Sequence, residues 1–137
     1  MARRVILDTN VLIDYERSVL DRAALDDADI AIAAVTVAEY RVGIELADTA
    51  ERAAMRARAL AIVTENVEVL PYTEATATHH ARLIAEARRS GQRRGAHDLI
   101  IAAHASQTGR TILSRDAAAR FGDLRGVSAE PPKPAER

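Results

Sequence analysis

The segment from Val5 to Asp8 constrains the fold of this chain most, because three successive apolar residues run directly into an acid. Strands that are buried on both faces of a parallel sheet have continuous rather than alternating apolar residues. Asp8 would then lie at the carboxyl end of its strand, where open α/β sheets collect their ligands. The polar pair Thr9 and Asn10 follows, and either could cap a helix that begins with the apolar residues 11–13. We therefore predict a buried strand with Asp8 placed for chemistry, against the alternative that Asp8 merely begins a turn.

The rest of the chain repeats this order of strand and helix. Further strands are predicted at residues 30–35, 67–70 and 111–113, with a short fifth strand near Val127. A short acidic helix and loop are predicted at residues 18–29, and longer helices begin at Thr36, cover residues 49–64 and 73–90, and run from Asp98 to Gly109. A chain of 137 residues fits one domain, which we place at residues 1–130. The prolines of residues 131–137 predict a flexible tail.

Four acids follow the predicted strands or stand in the first turn of a helix at the same edge of the sheet: Asp8, Glu39, Asp98 and Asp116. If these acids converge, two carboxylates about 4 Å apart repel by roughly 4 kcal/mol at an effective dielectric constant of about 20. Raised pKa values or a hard divalent cation must offset that repulsion, and an all-oxygen cluster suits Mg²⁺ or Mn²⁺. Phosphodiester hydrolysis is the reaction that such a metal cluster supports.

Two of the four acids have a simpler explanation. Thr36 and Glu39 have the spacing of a capping box, in which the Glu39 side chain bonds the backbone at the start of its helix. Asp98 stands where a carboxylate interacts favourably with a helix dipole. The metal site and these capping roles both stay open at this point.

The basic residues are almost all arginines, since Lys133 is the one lysine of the chain. A chain without a structured lysine lacks the residue that P-loop NTPases and Schiff-base enzymes require. The absence of cysteine also excludes thiolate zinc sites and cysteine nucleophiles. Arginines near the end of the long helix are suited to hold polynucleotide phosphates beside the acids, unless they form only a solvated helix end. They are Arg88, Arg89, Arg93 and Arg94.

Four short blocks of this sequence together resemble the motifs of PIN-domain ribonucleases, and in particular the VapC toxins of bacterial toxin–antitoxin pairs. They occur in the family's order and spacing, and the resemblance extends to about Val127. The blocks are Asp8-Thr9-Asn10-Val11-Leu12-Ile13, Thr36-Val37-Ala38-Glu39-Tyr40, His97-Asp98-Leu99-Ile100-Ile101-Ala102-Ala103 and Leu113-Ser114-Arg115-Asp116. The chain departs from the family after Asp116, where three alanines stand before Arg120 and Phe121.

The resemblance implies a three-layer α/β/α fold with a central parallel sheet of four to five strands. It also implies that the four acids form a catalytic site for Mg²⁺ or Mn²⁺, with Asp8, Asp98 and Asp116 as the metal ligands. The polar residues that match supporting positions of such a site are Thr9, Asn10 and Ser114.

The same resemblance implies the partners of the chain. The family typically forms homodimers, cleaves structured RNA such as transfer or ribosomal RNA, and is inhibited by a small cognate antitoxin of VapB type. Arg115 joins the four arginines as a predicted RNA contact. We expect a cytoplasmic protein, because the sequence has no apolar run of membrane-spanning length and no secretory leader.

Two other functions compete with that of a nuclease. A phosphatase of the haloacid-dehalogenase type needs a second acid two residues after the first, where this chain has Asn10. A non-catalytic module that binds RNA or a protein partner stays open, because acids can also dock basic side chains. Asp14 is predicted to lie on the surface, and the histidines are predicted to be surface or packing residues, although His97 neighbours Asp98.

Overall fold

The computed structural model describes residues 2–16 and 25–134, so part of the predicted acidic helix at residues 18–29 and the last three residues of the predicted tail lie outside it. In chain order the elements are β1 (Arg4–Leu7), α1 (Thr9–Glu16), β2 (Asp29–Ala33), α2 (Ala34–Glu45), α3 (Ala50–Asn66), β3 (Glu68–Leu70), α4 (Glu74–Ser90), α5 (Ala96–Thr108), β4 (Thr111–Leu113) and β5 (Ser128–Glu130). Two short 3₁₀ turns, Ala117–Ala119 and Phe121–Asp123, lie between β4 and β5.

The five strands form one parallel sheet in the order β3-β2-β1-β4-β5. The predicted parallel sheet is confirmed, and β1 is its central strand. Leu7 pairs with Leu113 in the register of β1 and β4. The residues that follow these two leucines therefore lie side by side at the carboxyl edge of the sheet.

The core is divided by the sheet into two apolar clusters. Val5 and Leu7 of β1 belong to a cluster that includes Leu12 of α1 and Val63 of α3. Ile6 of β1 points to the opposite cluster, which includes residues of α4 and α5. All three β1 residues are fully buried, as the continuous apolar run predicts. The helices on both faces give the expected three layers.

Four helix ends follow local sequence signals. The side chains of Thr49 and Thr73 cap α3 and α4 by accepting hydrogen bonds from backbone N–H groups. Gly91 and Gly109 end α4 and α5 in the left-handed region, with φ of 69° and 67°. Among the described residues, no helix is long and apolar enough to cross a membrane.

Three predicted helix starts are wrong by two residues, and one of them is that of α5, which begins at Ala96 rather than at Asp98. Helix α2 begins at Ala34, because β2 ends at Ala33 and no local residue delays the helix. Thr36 therefore lies inside α2 and is fully buried, so the predicted capping box with Glu39 does not form. Helix α1 likewise includes Thr9, whose backbone N–H donates to the Asp8 carboxylate at 2.8 Å. The caps predicted for the Thr9 and Asn10 side chains are thus replaced by other contacts.

The amino-terminal edge of the sheet is held by Arg110, a residue that the sequence did not single out. Its side chain is almost fully buried, and its Nη1 donates to the carbonyl oxygens of Val5 at 3.1 Å and Asp29 at 2.7 Å. Its Nη2 donates to the carboxylates of Asp29 at 3.2 Å and Glu68 at 3.3 Å. One guanidinium group at the start of β4 therefore ties β1, β2 and β3 together, opposite the edge that carries Asp8.

Candidate metal centre

Asp8 stands at the carboxyl end of β1, and its carboxylate is held by two hydrogen bonds. The residue is only 6% exposed. Its Oδ1 accepts from the backbone N–H of Thr9, and its Oδ2 accepts from the hydroxyl group of Ser114 at 2.8 Å. Because β1 and β4 are paired in parallel, the residue after each strand reaches the same edge. The predicted buried strand with an acid at its end is confirmed.

Glu39 reaches this edge from α2. Its Oε2 accepts a hydrogen bond from the hydroxyl group of Thr9 at 3.2 Å. Its Oε1 lies 3.0 Å from His97 Nδ1, but this buried oxygen receives no hydrogen bond from the described residues. A buried carboxylate oxygen without a donor is costly, so it is suited to bind a cation.

Asp98 lies in the first turn of α5, as predicted, and is half-buried. Burial raises the pKa of the Asp98 carboxyl group above its usual value. The negative charges of Asp8, Asp116 and Glu39 raise this pKa further, whereas His97 opposes them. The four acids predicted from the sequence are therefore close enough to interact electrostatically, although they come from four separate segments.

Gly95, directly before α5, is a site residue that the sequence did not reveal. A Cβ atom at this position would lie 3.0 Å from Asp98 Oδ2. The glycine therefore leaves space for the Asp98 carboxylate to fold back over the start of its helix. The backbone conformation of Gly95 is ordinary, with φ of −61°. The requirement for glycine is therefore steric, and it can be recognised only from the three-dimensional structure.

Asp116 is exposed and lies two residues beyond the Ser114 hydroxyl group. Its backbone N–H donates to Ser114 Oγ at 3.0 Å. Its Oδ1 accepts from the backbone N–H of Ala119 at 3.2 Å and so caps the first 3₁₀ turn. Ser114 thus connects two of the predicted acids, since the same oxygen also donates to Asp8.

The chemistry of these donors fits a hard divalent cation. All four acids offer oxygen, one buried oxygen of Glu39 has no hydrogen bond from the described residues, and the pKa of Asp98 is raised by burial and by the neighbouring carboxylates. In the described part of the chain, however, no three histidine, aspartate or glutamate side chains have an arrangement that holds one ion together. Mg²⁺ often binds proteins through one or two carboxylates and retains several waters. The direct binding of one ion by Asp8, Asp98 and Asp116 together stays a prediction.

Asp14 is buried, so the prediction that it lies on the surface is wrong. The residue is 7% exposed, and its Oδ2 lies 2.7 Å from Nε of Arg115. Asp14 is the third residue after the buried Val11, and this spacing places both on the same side of α1. Asn10 adds a second link to the same segment, because its Oδ1 accepts from the backbone N–H of Arg115 at 3.2 Å. Both contacts join α1 to the segment that carries Asp116.

The arginines predicted to bind RNA fall into two groups. Arg88 and Arg89 in the last turn of α4, and Arg93 in the loop after it, are exposed. Arg94 is partly buried, and its Nη1 donates to the carbonyl oxygens of Ala119 at 2.7 Å and Arg120 at 2.9 Å. A cleft of about 230 Å³ lies between these segments, and its lining includes Arg93, Arg94, Asp98 and Arg120.

Comparisons with known proteins agree with this geometry. Residues 5–125 match the PIN domain family. The chain is 33% identical to the tRNA(fMet)-specific endonuclease VapC of Shigella flexneri over 131 residues, which cover 89% of this chain and 95% of that protein. It is 37% identical to ribonuclease VapC5 of Mycobacterium tuberculosis over 112 residues, covering 81% of this chain and 82% of that one. The crystal structure of the toxin–antitoxin complex VapBC-5 from the same organism contains a chain with a TM-score of 0.73 and 34% identity, covering 95% of this chain and 98% of its own.

Proposed function

The chain belongs to the PIN-domain family and to its VapC group of toxins, and we propose that it is a metal-dependent endoribonuclease that cleaves structured RNA at the four-acid site. The observation that carries this proposal is the convergence of acids from four separate segments at the carboxyl edge of the sheet. Transfer RNA is the favoured substrate, because the relative from Shigella flexneri is named for it. Ribosomal RNA is the second candidate. Both substrates imply action in the cytoplasm.

In this proposal the four acids divide between two tasks, metal binding and proton transfer. Asp8 and Asp98, together with Asp116 from the turn after β4, would hold Mg²⁺ or Mn²⁺. When bound, such an ion would offset the repulsion among the carboxylates and would stabilise the negative charge that develops on the scissile phosphate. The hydrogen bonds from Thr9 and Ser114 orient the Asp8 carboxylate before substrate arrives. Glu39 would accept a proton from the attacking water, because its Oε1 receives no hydrogen bond from the described residues and has only His97 Nδ1 beside it, at 3.0 Å.

The exposed arginines would bind the RNA backbone. Arg88, Arg89 and Arg93 form no ion pair or hydrogen bond through their side chains in the described part of the chain, so their charges are available to phosphates. Arg93 and Asp98 line the same cleft, which gives a phosphate held by Arg93 a short path to the acids. Arg115 is half-exposed and is a further RNA contact in this proposal, although its Nε is paired with Asp14.

The proposed protein partner is a small antitoxin of VapB type, as in the toxin–antitoxin complex from Mycobacterium tuberculosis. A cleft of about 490 Å³ opens beside Glu39 between α1, α2 and α3, and the exposed Met55 lines it. An antitoxin segment in this cleft would cover Glu39 and block the approach of RNA to it. The predicted homodimer stays a prediction.

The proposal is tested by incubating the purified chain, without antitoxin, with bacterial transfer RNA and ribosomal RNA in Mg²⁺, Mn²⁺ or EDTA. Sequencing of the new RNA ends identifies the bonds that are cut. We expect discrete cuts that require the metal and disappear in Asp98→Asn. Cleavage that persists in EDTA or in Asp98→Asn would contradict the assigned site.

The second candidate function is that of a non-catalytic module that binds RNA or a protein. It is favoured by the absence, among the described residues, of three side chains arranged around one ion. In that case the acids would dock basic groups of a partner. Calorimetric titration with Mn²⁺ separates the two functions, because the module predicts no metal binding and no RNA cleavage.

A further inference from the structure

Arg94 has contacts that differ from those of its neighbour Arg93. Its Nη1 donates to two successive carbonyl oxygens, of Ala119 and Arg120, and its Nη2 donates to Gln92 at 3.2 Å. Arg93 is exposed and forms no such contact. Two adjacent arginines of one loop therefore present different surfaces, one to the protein and one to solvent.

The carbonyl groups that Arg94 binds belong to the segment that carries Asp116. The Asp116 carboxylate caps the turn Ala117–Ala119, and Arg94 binds the other end of that turn. Arg120, directly after the turn, has φ of 50° and is the one non-glycine residue with positive φ among the described residues. Such a conformation is costly and persists only where surrounding contacts enforce it. The Arg94 bond to the Arg120 carbonyl is one of those contacts.

Arg94 also lies four residues before Asp98, in the loop that leads into α5. Its guanidinium group therefore joins the segment that presents Asp98 to the segment that presents Asp116. Both hydrogen bonds leave one atom, Nη1, whose two N–H groups lie in the rigid plane of the guanidinium group, so that plane fixes their directions.

We propose that Arg94 is a positioning residue that sets the distance between the Asp98 and Asp116 carboxylates, and that it does not bind RNA. The inference rests on the proposed function, since it assigns these two acids to one metal site. It replaces the sequence-based prediction that Arg94 binds RNA, and it assigns the RNA contact of this loop to Arg93.

The test compares Arg94→Gln with Arg93→Gln, a matched change at the adjacent residue. Calorimetry measures Mn²⁺ binding to the free protein. Fluorescence anisotropy with labelled bacterial transfer RNA in EDTA measures RNA affinity and its dependence on salt. Loss of a group that orients metal ligands typically weakens metal affinity by about 10- to 100-fold, and we expect this for Arg94→Gln. RNA affinity in EDTA should not change in that variant.

Arg93→Gln should behave in the opposite way. Its Mn²⁺ affinity should equal that of the wild type, and the slope of log affinity against log salt should fall by about 0.7 to 0.9, the value for one lost phosphate contact. Excess Mn²⁺ should restore cleavage by Arg94→Gln but not by Arg93→Gln. Unchanged Mn²⁺ binding in Arg94→Gln, or a loss of RNA affinity equal to that in Arg93→Gln, would overturn the proposal.

Arg94→Lys provides the test if Arg94→Gln does not fold, as judged by circular dichroism. Lysine keeps the charge that a phosphate needs, but its ammonium group has no rigid plane that would direct hydrogen bonds to both carbonyl groups. Weaker Mn²⁺ binding with wild-type RNA affinity supports positioning, and wild-type Mn²⁺ binding refutes it. If the wild-type chain neither binds Mn²⁺ nor cleaves RNA, the proposed function fails and this inference fails with it. If the wild type does both and the Arg94 variants match it, only the positioning role fails.

Discussion

The hydroxyl group of Ser114 donates to Asp8 Oδ2 at 2.8 Å, across the edge formed by β1 and β4. The same oxygen accepts from the backbone N–H of Asp116 at 3.0 Å. One small side chain therefore fixes the carboxylate of the first predicted acid and the backbone of the last. This arrangement makes Ser114 a sensitive test of whether these acids act together.

Ser114→Ala should weaken Mn²⁺ binding and RNA cleavage by about 10- to 100-fold, because both acids lose an orienting contact. The free energy of unfolding should fall by only about 1 kcal/mol, the usual net value of a hydrogen bond. Calorimetry and denaturant unfolding measure the two effects. Ser90→Ala is the control, since its hydroxyl group bonds the Ala87 carbonyl at the end of α4, outside the site. Equal effects of both substitutions on Mn²⁺ affinity would argue against a special role for Ser114.

Asp98→Asn should raise the melting temperature in EDTA at neutral pH. The pKa of Asp98 is higher in the folded protein than its usual value of 3.8, so ionised Asp98 opposes folding. This cost in folding free energy is absent when the pH lies below the pKa of Asp98 in the unfolded chain. It grows as the pH rises through the pKa of Asp98 in the folded protein, and it is fully present above that pKa. The advantage of Asp98→Asn should therefore disappear at low pH.

Mn²⁺ should reverse this order, because the ion stabilises the wild type and has less affinity for Asp98→Asn. Thermal unfolding of both proteins, with EDTA and with Mn²⁺ across the pH range, provides the measurement. A variant that melts below the wild type in EDTA at neutral pH would identify Asp98 as a structural acid of the helix start.

Local sequence patterns predicted the strands well, but they failed where contacts between residues far apart in the sequence determine the structure. Strand β4 has the predicted bounds, and Asp8 follows a buried strand as expected. Thr36 and Glu39 have the spacing of a capping box, yet α2 begins earlier, at Ala34, because neither Ala33 nor Ala34 fixes the helix start at a later residue. The partners of Asp14 and Arg94 lie about 100 and 25 residues away, a separation that no periodicity encodes.

Gly95→Ala should displace the Asp98 carboxylate, because the new methyl carbon would lie 3.0 Å from Oδ2. We expect weaker Mn²⁺ binding, by about tenfold or more, with little loss of stability, since alanine is compatible with the backbone at this position. Gly43→Ala is a suitable control, because a Cβ atom at Gly43 would contact nothing within 4 Å. If Gly95→Ala binds Mn²⁺ as tightly as the wild type, the Asp98 carboxylate can move without weakening metal binding, and the prediction is contradicted.

His104 should make the fold sensitive to acid. The side chain is 1% exposed, and both ring nitrogens are buried without a hydrogen bond in the described part of the chain. Burial lowers the pKa of His104 below its usual value of 6.5, and the charge of His80 lowers it further. The unfolded chain therefore takes up a proton first, and stability should fall as the pH drops from about 6.5 through the folded pKa.

His104→Leu should reduce this loss between pH 7.5 and pH 5. It should not remove the loss entirely, because burial also lowers the pKa of His80, whose Nδ1 lies 2.8 Å from the hydroxyl group of Tyr72. Melting temperatures of the wild type, His104→Leu and His80→Gln across this range measure both contributions. A pH dependence in His104→Leu equal to that of the wild type would contradict the prediction.

Arg110→Met should destabilise the fold without changing the chemistry of the site, because Arg110 holds the opposite edge of the sheet. Methionine keeps much of the side-chain volume but leaves two carbonyl groups without their charged donor. We expect a loss of about 3 kcal/mol in the free energy of unfolding. Arg82→Met is the control: Arg82 makes two hydrogen bonds, against four for Arg110, and it is exposed, so its loss should cost about 1 kcal/mol or less. Denaturant unfolding compares the two variants, and the Mn²⁺ affinity of folded Arg110→Met should equal that of the wild type. A weaker Mn²⁺ affinity in that variant would show that the two edges of the sheet are coupled through β1.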